Sequence, residues 1–149
     1  MALIDNRTGI EIIDRRGCLA LLAADDFGRV GVLDGGAPLI LPVNYALDGD
    51  HVVFCTGEGT KLDAVRGPAC FEVDGHDSEA RTGWSVIVRG RLEEVTPRLR
   101  DSQGLIYERV RDLARPWAAG DHGHILRIVP ASIRGRRISK PAPLPAEQG

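Results

Sequence analysis

The stretch from Gly28 to Thr56 most constrains the fold, because two-residue turns divide it into short β-rich runs. It reads GRVGVLDGGAPLILPVNYALDGDHVVFCT, with turns predicted at Gly35-Gly36 and Gly49-Asp50. A parallel sheet needs a crossover of about a dozen residues or more between its strands, and these connections are far shorter. The three runs are therefore predicted to form an antiparallel meander, which disfavours a doubly wound α/β domain.

Further strands and a few helices are predicted around this stretch. Cys18, Leu21 and Leu22 share one helical face and Asp14 precedes them as an N-cap, which indicates a short first helix. The remaining elements are predicted as a short helix at 61–65, strands at 69–74 and 83–95, a second main helix at 97–114, a strand ending at 129 and a shorter strand at 133–138. About six antiparallel strands with few helices favour a small closed or partly closed barrel.

The run from 83 to 95, GWSVIVRGRLEEV, is typical of a half-exposed strand. Val86, Val88 and Leu92 share one face, whereas charged residues occupy the other face. Gly90 lies inside this run, where a glycine usually marks a bend or a bulge. One face of this strand is thus predicted to lie in the core.

Composition excludes several classes of protein. The chain has 149 residues, so a single domain is expected, and its 19 basic and 21 acidic residues leave a formal charge of −2. This charge favours neither a nucleic acid nor a membrane as a partner. The three cysteines are odd in number and sit in apolar runs, which is typical of a reducing compartment. A soluble cytoplasmic protein is the expectation, because no run approaches the roughly 18 apolar residues of a membrane span.

The loop GEGTKL at 57–62 has some properties of an anion site, although it matches no named phosphate motif. A strand is predicted to end at Thr56, and Thr60 is placed to cap the helix that follows. The first-turn amides around Lys61 would then point at an anion, and the lysine would add a full charge. An ordinary glycine turn with a solvated lysine explains the same residues, so spacing alone leaves both interpretations open.

Other candidate sites carry less weight. The segments DHGH at 121–124 and DGHD at 74–77 combine residue types that bind metals, but such residues are also common turn formers, and no metal is predicted. Ser85 follows glycine and tryptophan rather than standing in a GxSxG elbow, so it is not predicted to be a hydrolase nucleophile. The run RGRR at 134–137 would suit a phosphate or a nucleic acid, or simply a solvated strand edge.

Four segments read together resemble the pyridoxamine 5'-phosphate oxidase-like family of FMN-binding split barrels, in its actinobacterial flavin-nucleotide-binding branch. They are PVNYALDGDHVVFCTGEGTKLDAV, ACFEVD, GWSVIVRGRLEEV and RIVPASIRGRRI, within a similarity from about Cys18 to Ile138. The resemblance implies a mainly β protein: an antiparallel six-stranded split β-barrel with short flanking α-helices. The domain is expected over 1–138, and a Pro-rich tail, disordered or lying along the surface, over 139–149.

In such proteins two subunits pair and hold FMN in a groove at their interface, so the resemblance implies a homodimer with bound FMN. Carried over by position, Lys61 and Thr60 would hold the phosphate. Thr56 and Gly57 would line its approach.

The resemblance also implies which residues meet the rest of the cofactor. Pro42, Val43 and Asn44 would lie along the flavin ring and ribityl chain. Trp84 and Ser85 would face the cofactor, from the same subunit or from its partner. Without its family role, Asn44 is an ordinary turn or bulge residue, and Trp84 is a plug at one end of the barrel.

The implied activity is that of a flavin-dependent oxidoreductase acting on a small molecule, with no residue predicted as an obligatory acid or base. A deazaflavin-dependent reductase, with Arg66, Arg89 and Arg91 supplying a basic groove, is one alternative. A non-catalytic flavin or haem carrier or sensor is another. Vitamin oxidation is not implied, because the vitamin oxidases carry an arginine and histidine pair near the C-terminus, whereas the region ILRIVPASIRGRR here has arginines but no histidine. Nitroimidazole resistance is not implied either, because Cys55 and Thr56 stand where those relatives have a histidine.

Overall fold

The computed structural model describes residues 3–5, 7–57, 59–118, 120 and 123–146, and the structural statements below concern those residues. Its strands are β1 Leu3–Asp5, β2 Ile10–Ile13, β3 Phe27–Asp34, β4 Ala37–Asn44, β5 Ala46–Asp48, β6 His51–Thr56, β7 Pro68–Asp77, β8 Thr82–Glu94, β9 Arg100–Asp101, β10 Gly104–Leu105 and β11 His124–Ile138. Its helices are α1 Arg15–Ala23, α2 Thr60–Asp63 and α3 Ile106–Val110. No helix in the described part of the chain is long and apolar enough to cross a membrane.

One antiparallel sheet runs β4-β3-β7-β8-β11, and β11 then divides its outer edge between two partners. The first part of β11 pairs with β6, which in turn pairs with β5, and its last part pairs with the hairpin of β2 and β1. The sheet curls so that β4 and β6 come into contact, but within the described residues no ladder joins them. The structure confirms the predicted antiparallel split barrel with short flanking helices, and the barrel strands belong to a sheet of nine strands within the described residues.

The predicted continuous meander from Gly28 to Thr56 is wrong in one respect. The stretch forms two separate hairpins, β3–β4 and β5–β6, which pair with β7 and β11 respectively. Tyr45 lies between the hairpins, packs edge-on against Phe71 at 4.6 Å, and donates its hydroxyl hydrogen to the carbonyl of Leu22. Because the chain is anchored into the core at Tyr45, it can leave one side of the barrel and begin the other.

Helix α1 forms as predicted. The Asp14 carboxylate accepts a hydrogen bond from the backbone nitrogen of Gly17 at 2.8 Å, which satisfies one of the free amides of the first turn. Cys18 and Leu22 are fully buried under the barrel and Leu21 is half-buried, so the predicted apolar face is the one that packs.

The pattern of β8 is confirmed, because Val86, Val88 and Leu92 are completely buried. The bulge expected near Gly90 lies on the facing strand, where the register of β11 shifts between Pro130 and Ser132. A Cβ at Gly90 would lie 1.9 Å from the carbonyl oxygen of Val129, so only glycine allows the two backbones this approach. The two final strands predicted from the sequence are thus one strand, β11, with a bulge.

The predicted long helix at 97–114 is wrong, since only Ile106 to Val110 are helical. Ahead of them β9 and β10 form a small hairpin, in which Gly104 has a φ of +114° that other residues rarely adopt. The Asp101 carboxylate accepts from the backbone nitrogen of Gln103 and closes the turn. Ile106 and Val110 lie one turn apart in α3 and pack into an apolar cluster with Val53 and Ile125, so the predicted helical spacing holds only over this short segment.

The two ends of the described chain lie on the barrel surface. Residues 139–146 have no regular secondary structure, and the Arg81 guanidinium donates to the carbonyl of Ala142 at 2.6 Å. The predicted short helix at 61–65 begins one residue earlier and ends at Asp63.

Candidate functional site

A cleft of about 320 Å³ opens at one end of the barrel, where β3 starts and β4 and β6 end. Helix α2 and the loop after α3 complete its walls. Its lining residues, here called the Lys61 cleft, are Phe27, Pro42, Val43, Asn44, Cys55, Lys61, Pro116, Trp117 and Ala118. The structure thus brings together four residues that the family resemblance predicts around a cofactor: Pro42, Val43, Asn44 and Lys61.

Lys61 is the cation of this cleft. It lies in the single turn of α2 and is half-buried, and burial lowers the pKa of its ammonium group. An anion beside the ammonium would offset this loss of hydration, because an opposite charge favours the protonated lysine. One helical turn has only a small dipole, so the lysine rather than the helix end is the feature that would attract an anion here.

Asn44 connects the end of β4 to the loop that covers the cleft. Its Oδ1 accepts a hydrogen bond from the backbone nitrogen of Trp117 at 2.9 Å, and its Nδ2 donates to the carbonyl of Asp26 at 3.4 Å. An amide nitrogen carries two protons, so one donor remains beyond these two bonds. Asn44 therefore positions the covering loop and still offers a polar group toward a ligand.

Two aromatic rings form a wall that the sequence did not single out. Phe27 and Trp117 stack with their centroids 5.4 Å apart and their planes 7° from parallel. Trp117 is 70% exposed and Phe27 is 37% exposed, so part of this aromatic surface remains open to solvent. The available signal was the tryptophan itself: a large apolar residue directly after a proline in a loop, outside every predicted strand and helix, has no evident role in the core.

Cys55 also lines the cleft, but its environment opposes reactivity. Its thiol lies within hydrogen-bond distance of the carbonyl of Ala114, at 3.2 Å, and burial raises its pKa. A cysteine acts as a nucleophile through its thiolate, which burial disfavours. Cys55 is therefore a wall residue of the cleft.

The remaining phosphate-side residues lie near the cleft without lining it. Thr56 is the last residue of β6, is buried, and pairs with His124 on β11, and Gly57 follows it directly. Thr60 begins α2, but its side chain lies outside what the structure describes. Their proposed contacts with a phosphate stay predictions.

Trp84 and Ser85 lie elsewhere in the same chain. They line a separate cavity of about 390 Å³ near the hairpin of β7 and β8, together with Asp74 and Arg136. Trp84 packs against the main core cluster, whereas Ser85 pairs across the sheet with Arg136. Within one chain the structure does not bring these two residues to the Lys61 cleft, so their predicted contact with the cofactor would come from a second subunit.

Clusters that resembled metal sites in the sequence do not gather in the described part of the chain. Among those residues, no group of three or more metal-binding side chains converges. His124 Nδ1 lies 2.8 Å from a carboxylate oxygen of Glu94 on the neighbouring strand. Asp121 and His122, which belong with His124 to the DHGH segment at 121–124, lie outside the described residues.

Comparison with known proteins places the chain in a family. The family model described as pyridoxamine 5'-phosphate oxidase matches residues 14–137. An uncharacterised protein of Mycobacterium tuberculosis is 34% identical over 133 residues, which cover 85% of this chain and 84% of that protein. Among solved structures, the FAD binding protein from Mycobacterium smegmatis is 34% identical with a TM-score of 0.66, covering 85% of this chain and 98% of its own. An FAD-binding protein from Mesorhizobium loti is 26% identical with a TM-score of 0.70, covering 87% and 99%.

Proposed function

Since the chain belongs to the pyridoxamine 5'-phosphate oxidase family, we propose that it binds a flavin nucleotide in the Lys61 cleft and acts as a flavin-dependent oxidoreductase on a small molecule. The observation that carries this proposal is the composition of the cleft. One half-buried lysine faces a space otherwise walled by aromatic and apolar side chains and by one amide. A flavin mononucleotide unit has the matching parts, a flat ring system with polar edges and an anionic phosphate.

The volume of the cleft and its exposure to solvent also support a ligand site. Ligand sites generally occupy about 300–1,000 Å³, and the cleft, at about 320 Å³, lies at the lower end of that range. Trp117 and Pro42 are exposed, so one side of the cleft faces outward. A single subunit therefore offers part of a flavin site, and a second surface would be needed to cover the ring.

Two flavins remain to be distinguished. FMN is the cofactor that the sequence resemblance predicts, whereas the two solved relatives above are FAD-binding proteins. Both cofactors share the ring, the ribityl chain and the first phosphate, and these are the parts that Pro42, Val43, Asn44 and Lys61 would contact. The proposed site is the same for either flavin, and the affinity for each decides between them.

The side chains of the cleft suit binding and orientation rather than acid–base chemistry. A bound flavin accepts and donates hydride or single electrons. The described lining residues include no carboxylate and no histidine, and the Cys55 thiol is held neutral by the burial that raises its pKa. The apolar walls would exclude water, and the Asn44 amide would fix the edge of the ring. The protein's contribution would be to position a donor and an acceptor on either side of that ring.

We further propose that the site is completed in a homodimer. Leu33 and Ile40 are 44% and 70% exposed on the outer face of the sheet, where they line an apolar groove of about 490 Å³. Contiguous exposed apolar surface commonly marks a protein–protein interface. Light scattering should report a dimer, and Ile40→Glu should shift it toward monomer with weaker flavin binding. A monomeric wild type that binds flavin tightly would contradict this part.

Parallel equilibrium titrations test the binding proposal. Purified protein is titrated with FMN, FAD, riboflavin, a deazaflavin cofactor and haem, read by fluorescence quenching or absorbance. We expect saturable binding of FMN or FAD at one per chain, and weaker binding of riboflavin, which lacks the phosphate. Tighter binding of the deazaflavin cofactor or of haem would contradict the flavin assignment in favour of one of the alternatives. A rate of NAD(P)H oxidation by the loaded protein no faster than that of free flavin would contradict a reductase.

A further inference from the structure

Residues 96–118 form an excursion between β8 and β11, here called the covering segment, which carries Trp117 to the Lys61 cleft. Its helix α3 packs through an apolar cluster on β6 and β11 of the barrel. Apolar burial holds the segment against the barrel, but it is not directional and does not by itself fix where the segment lies. A directional contact is therefore needed to place Trp117.

Arg109, in α3, supplies such a contact. Its guanidinium donates to both carboxylate oxygens of Asp48 on β5, each at 3.0 Å, and to both oxygens of Asp101 on β9, at 2.6 and 3.3 Å. The backbone nitrogen of Gln103 also donates to Asp101, so this carboxylate is itself held in place. A two-pronged arginine–carboxylate pair fixes orientation as well as distance, because the guanidinium donors lie in one plane. Arg109 thus joins the helix of the covering segment to the β9–β10 hairpin and to the barrel.

A second arginine of the same segment shows what is particular to Arg109. The side chains of Arg109 and Asp48 are 27% and 15% exposed, so water screens this pair less than it screens an ion pair on the surface. The side chain of Arg111 is 52% exposed, and its carboxylate neighbours Glu108 and Asp112 belong to the covering segment itself. Arg109 therefore links the segment to the barrel, whereas the ion pairs of Arg111 are local.

The Arg109 clamp and the aromatic wall are attached to one stretch of the barrel. Asp48 accepts from Arg109, and Asn44 accepts from the backbone nitrogen of Trp117. Both acceptors lie close in the chain to Tyr45, which is anchored in the core through its hydroxyl and its ring. The covering segment is thus attached at two points to one fixed part of the protein.

The chain between these two attachment points has little slack. The backbone nitrogen of Leu113 donates to the carbonyl of Val110 at 3.0 Å and closes a turn directly after α3. Ala114 is buried, and its carbonyl lies 3.2 Å from the Cys55 thiol in the wall of the cleft. A shift of α3 would therefore be passed on to Trp117, whose ring is mostly exposed.

We propose that Arg109 is a positioning residue for the flavin site: its clamp on Asp48 and Asp101 fixes the covering segment and so places the Trp117 ring against the flavin. This role rests on the proposed function, since it concerns the same cleft, although Arg109 does not line that cleft. Loss of the clamp should weaken binding through the ring, which FMN and riboflavin share. The contact of Lys61 with the phosphate should stay unchanged.

The position of Trp117 is measured first, in protein without ligand. In a Trp84→Phe background Trp117 is the one remaining tryptophan of the chain, so its indole N–H signal and its quenching by acrylamide report on this loop alone. Arg109→Gln should shift the signal and increase the quenching, because glutamine cannot hold both carboxylates. Arg111→Gln is the matched control and should leave both readouts unchanged, since it removes only local surface ion pairs.

Flavin titrations then measure the consequence for binding. Arg109→Gln should weaken FMN and riboflavin binding by the same factor, about threefold to tenfold, as expected for a lost aromatic contact with the ring. Arg109→Lys keeps the charge but lacks the planar fork, so its affinity should lie between those of wild type and Arg109→Gln. In a Trp117→Ala background Arg109→Gln should weaken binding no further, because the contact that it positions is already gone.

A purely structural arginine would give different results. It would weaken flavin binding by the same factor with and without Trp117, and this outcome would overturn the positioning role. An unchanged Trp117 signal in Arg109→Gln, or an equal shift in Arg111→Gln, would overturn it as well. If Arg109→Gln fails to fold, Asp101→Asn removes one side of the clamp and should shift the Trp117 signal in the same direction. Absence of flavin binding by the wild type would contradict the proposed function instead, and the Trp117 signal without ligand would still decide whether Arg109 places the loop.

Discussion

The barrel interior and the Lys61 cleft use similar residue types for opposite purposes. Phe71 in the interior is fully buried and packs edge-on against Tyr45, whereas Phe27 at the cleft is 37% exposed and stacks on a Trp117 that is 70% exposed. Among the described residues, no buried side-chain polar atom lacks a hydrogen-bond partner. Lys61, in contrast, is half-buried with its pKa lowered by burial. The buried polar groups of the interior form hydrogen bonds within the protein, whereas the cleft retains exposed apolar surface and a partly buried charge that a ligand would cover.

The largest expected effect separates the two regions by stability. Phe71→Ala should destabilise the protein by about 3–5 kcal/mol, because it opens a cavity in a packed core. Phe27→Ala is the matched control and should cost less than about half of that, because its ring is already partly in water. Chemical denaturation measures both free energies of unfolding. Equal losses would show that the cleft wall is structural core.

The next effect concerns binding alone. Lys61→Ala should weaken FMN binding by about 1.5–3 kcal/mol, the usual contribution of a hydrogen bond to a charged group. Riboflavin affinity should change little, since riboflavin has no phosphate for the lysine to contact. Fluorescence titration of both ligands gives the comparison. An equal loss of affinity for FMN and riboflavin would show that Lys61 contacts the flavin ring rather than the phosphate.

Removing the aromatic wall should have a smaller effect. Trp117→Ala should weaken both FMN and riboflavin by about 0.5–1.5 kcal/mol, because the lost contact is with the ring that the two ligands share. The free energy of unfolding should stay nearly constant, as expected for a side chain that is 70% exposed. A change confined to FMN would contradict this placement of the ring.

The smallest effect is a pH dependence. Because burial lowers the pKa of Lys61, the lysine loses its proton at a lower pH than an ordinary lysine does. The advantage of FMN over riboflavin should therefore be present below the lowered pKa of Lys61 and should decline as pH rises through it. The ratio of the two dissociation constants between pH 7 and 10 measures it, with Lys61→Ala as the flat reference. A ratio that grows with pH would contradict a role for the ammonium charge.

Much of the fold could be predicted because local rules and packing agree there. The alternation of buried and exposed residues along β8 and the Asp14 N-cap of α1 could both be predicted, since each depends only on residues close in the sequence. The helix at 97–114 was mispredicted because its apolar residues are gathered by distant Val53 and Ile125, and residue spacing carries no information about such partners. The interruption at Tyr45 likewise depends on Phe71 and Leu22, which lie far away in the sequence.

The site was predictable only in part. Pro42, Val43, Asn44 and Lys61 were found because their segments resemble a family, and the fold then brings them to one cleft. Trp117 was missed, because it reaches the cleft through a loop held by the Asn44 side chain.

The most direct test of a flavin in the Lys61 cleft uses the chain's two tryptophans as reporters. Their indole N–H signals are followed by NMR during titration with FMN, after assignment with Trp84→Phe and Trp117→Phe. We predict a saturable shift of the Trp117 signal with one flavin per chain, accompanied by a shift of Trp84 only if a partner subunit completes the site. Saturable flavin binding that leaves the Trp117 signal unchanged would contradict the proposed location, and absence of any flavin binding would contradict the proposed function.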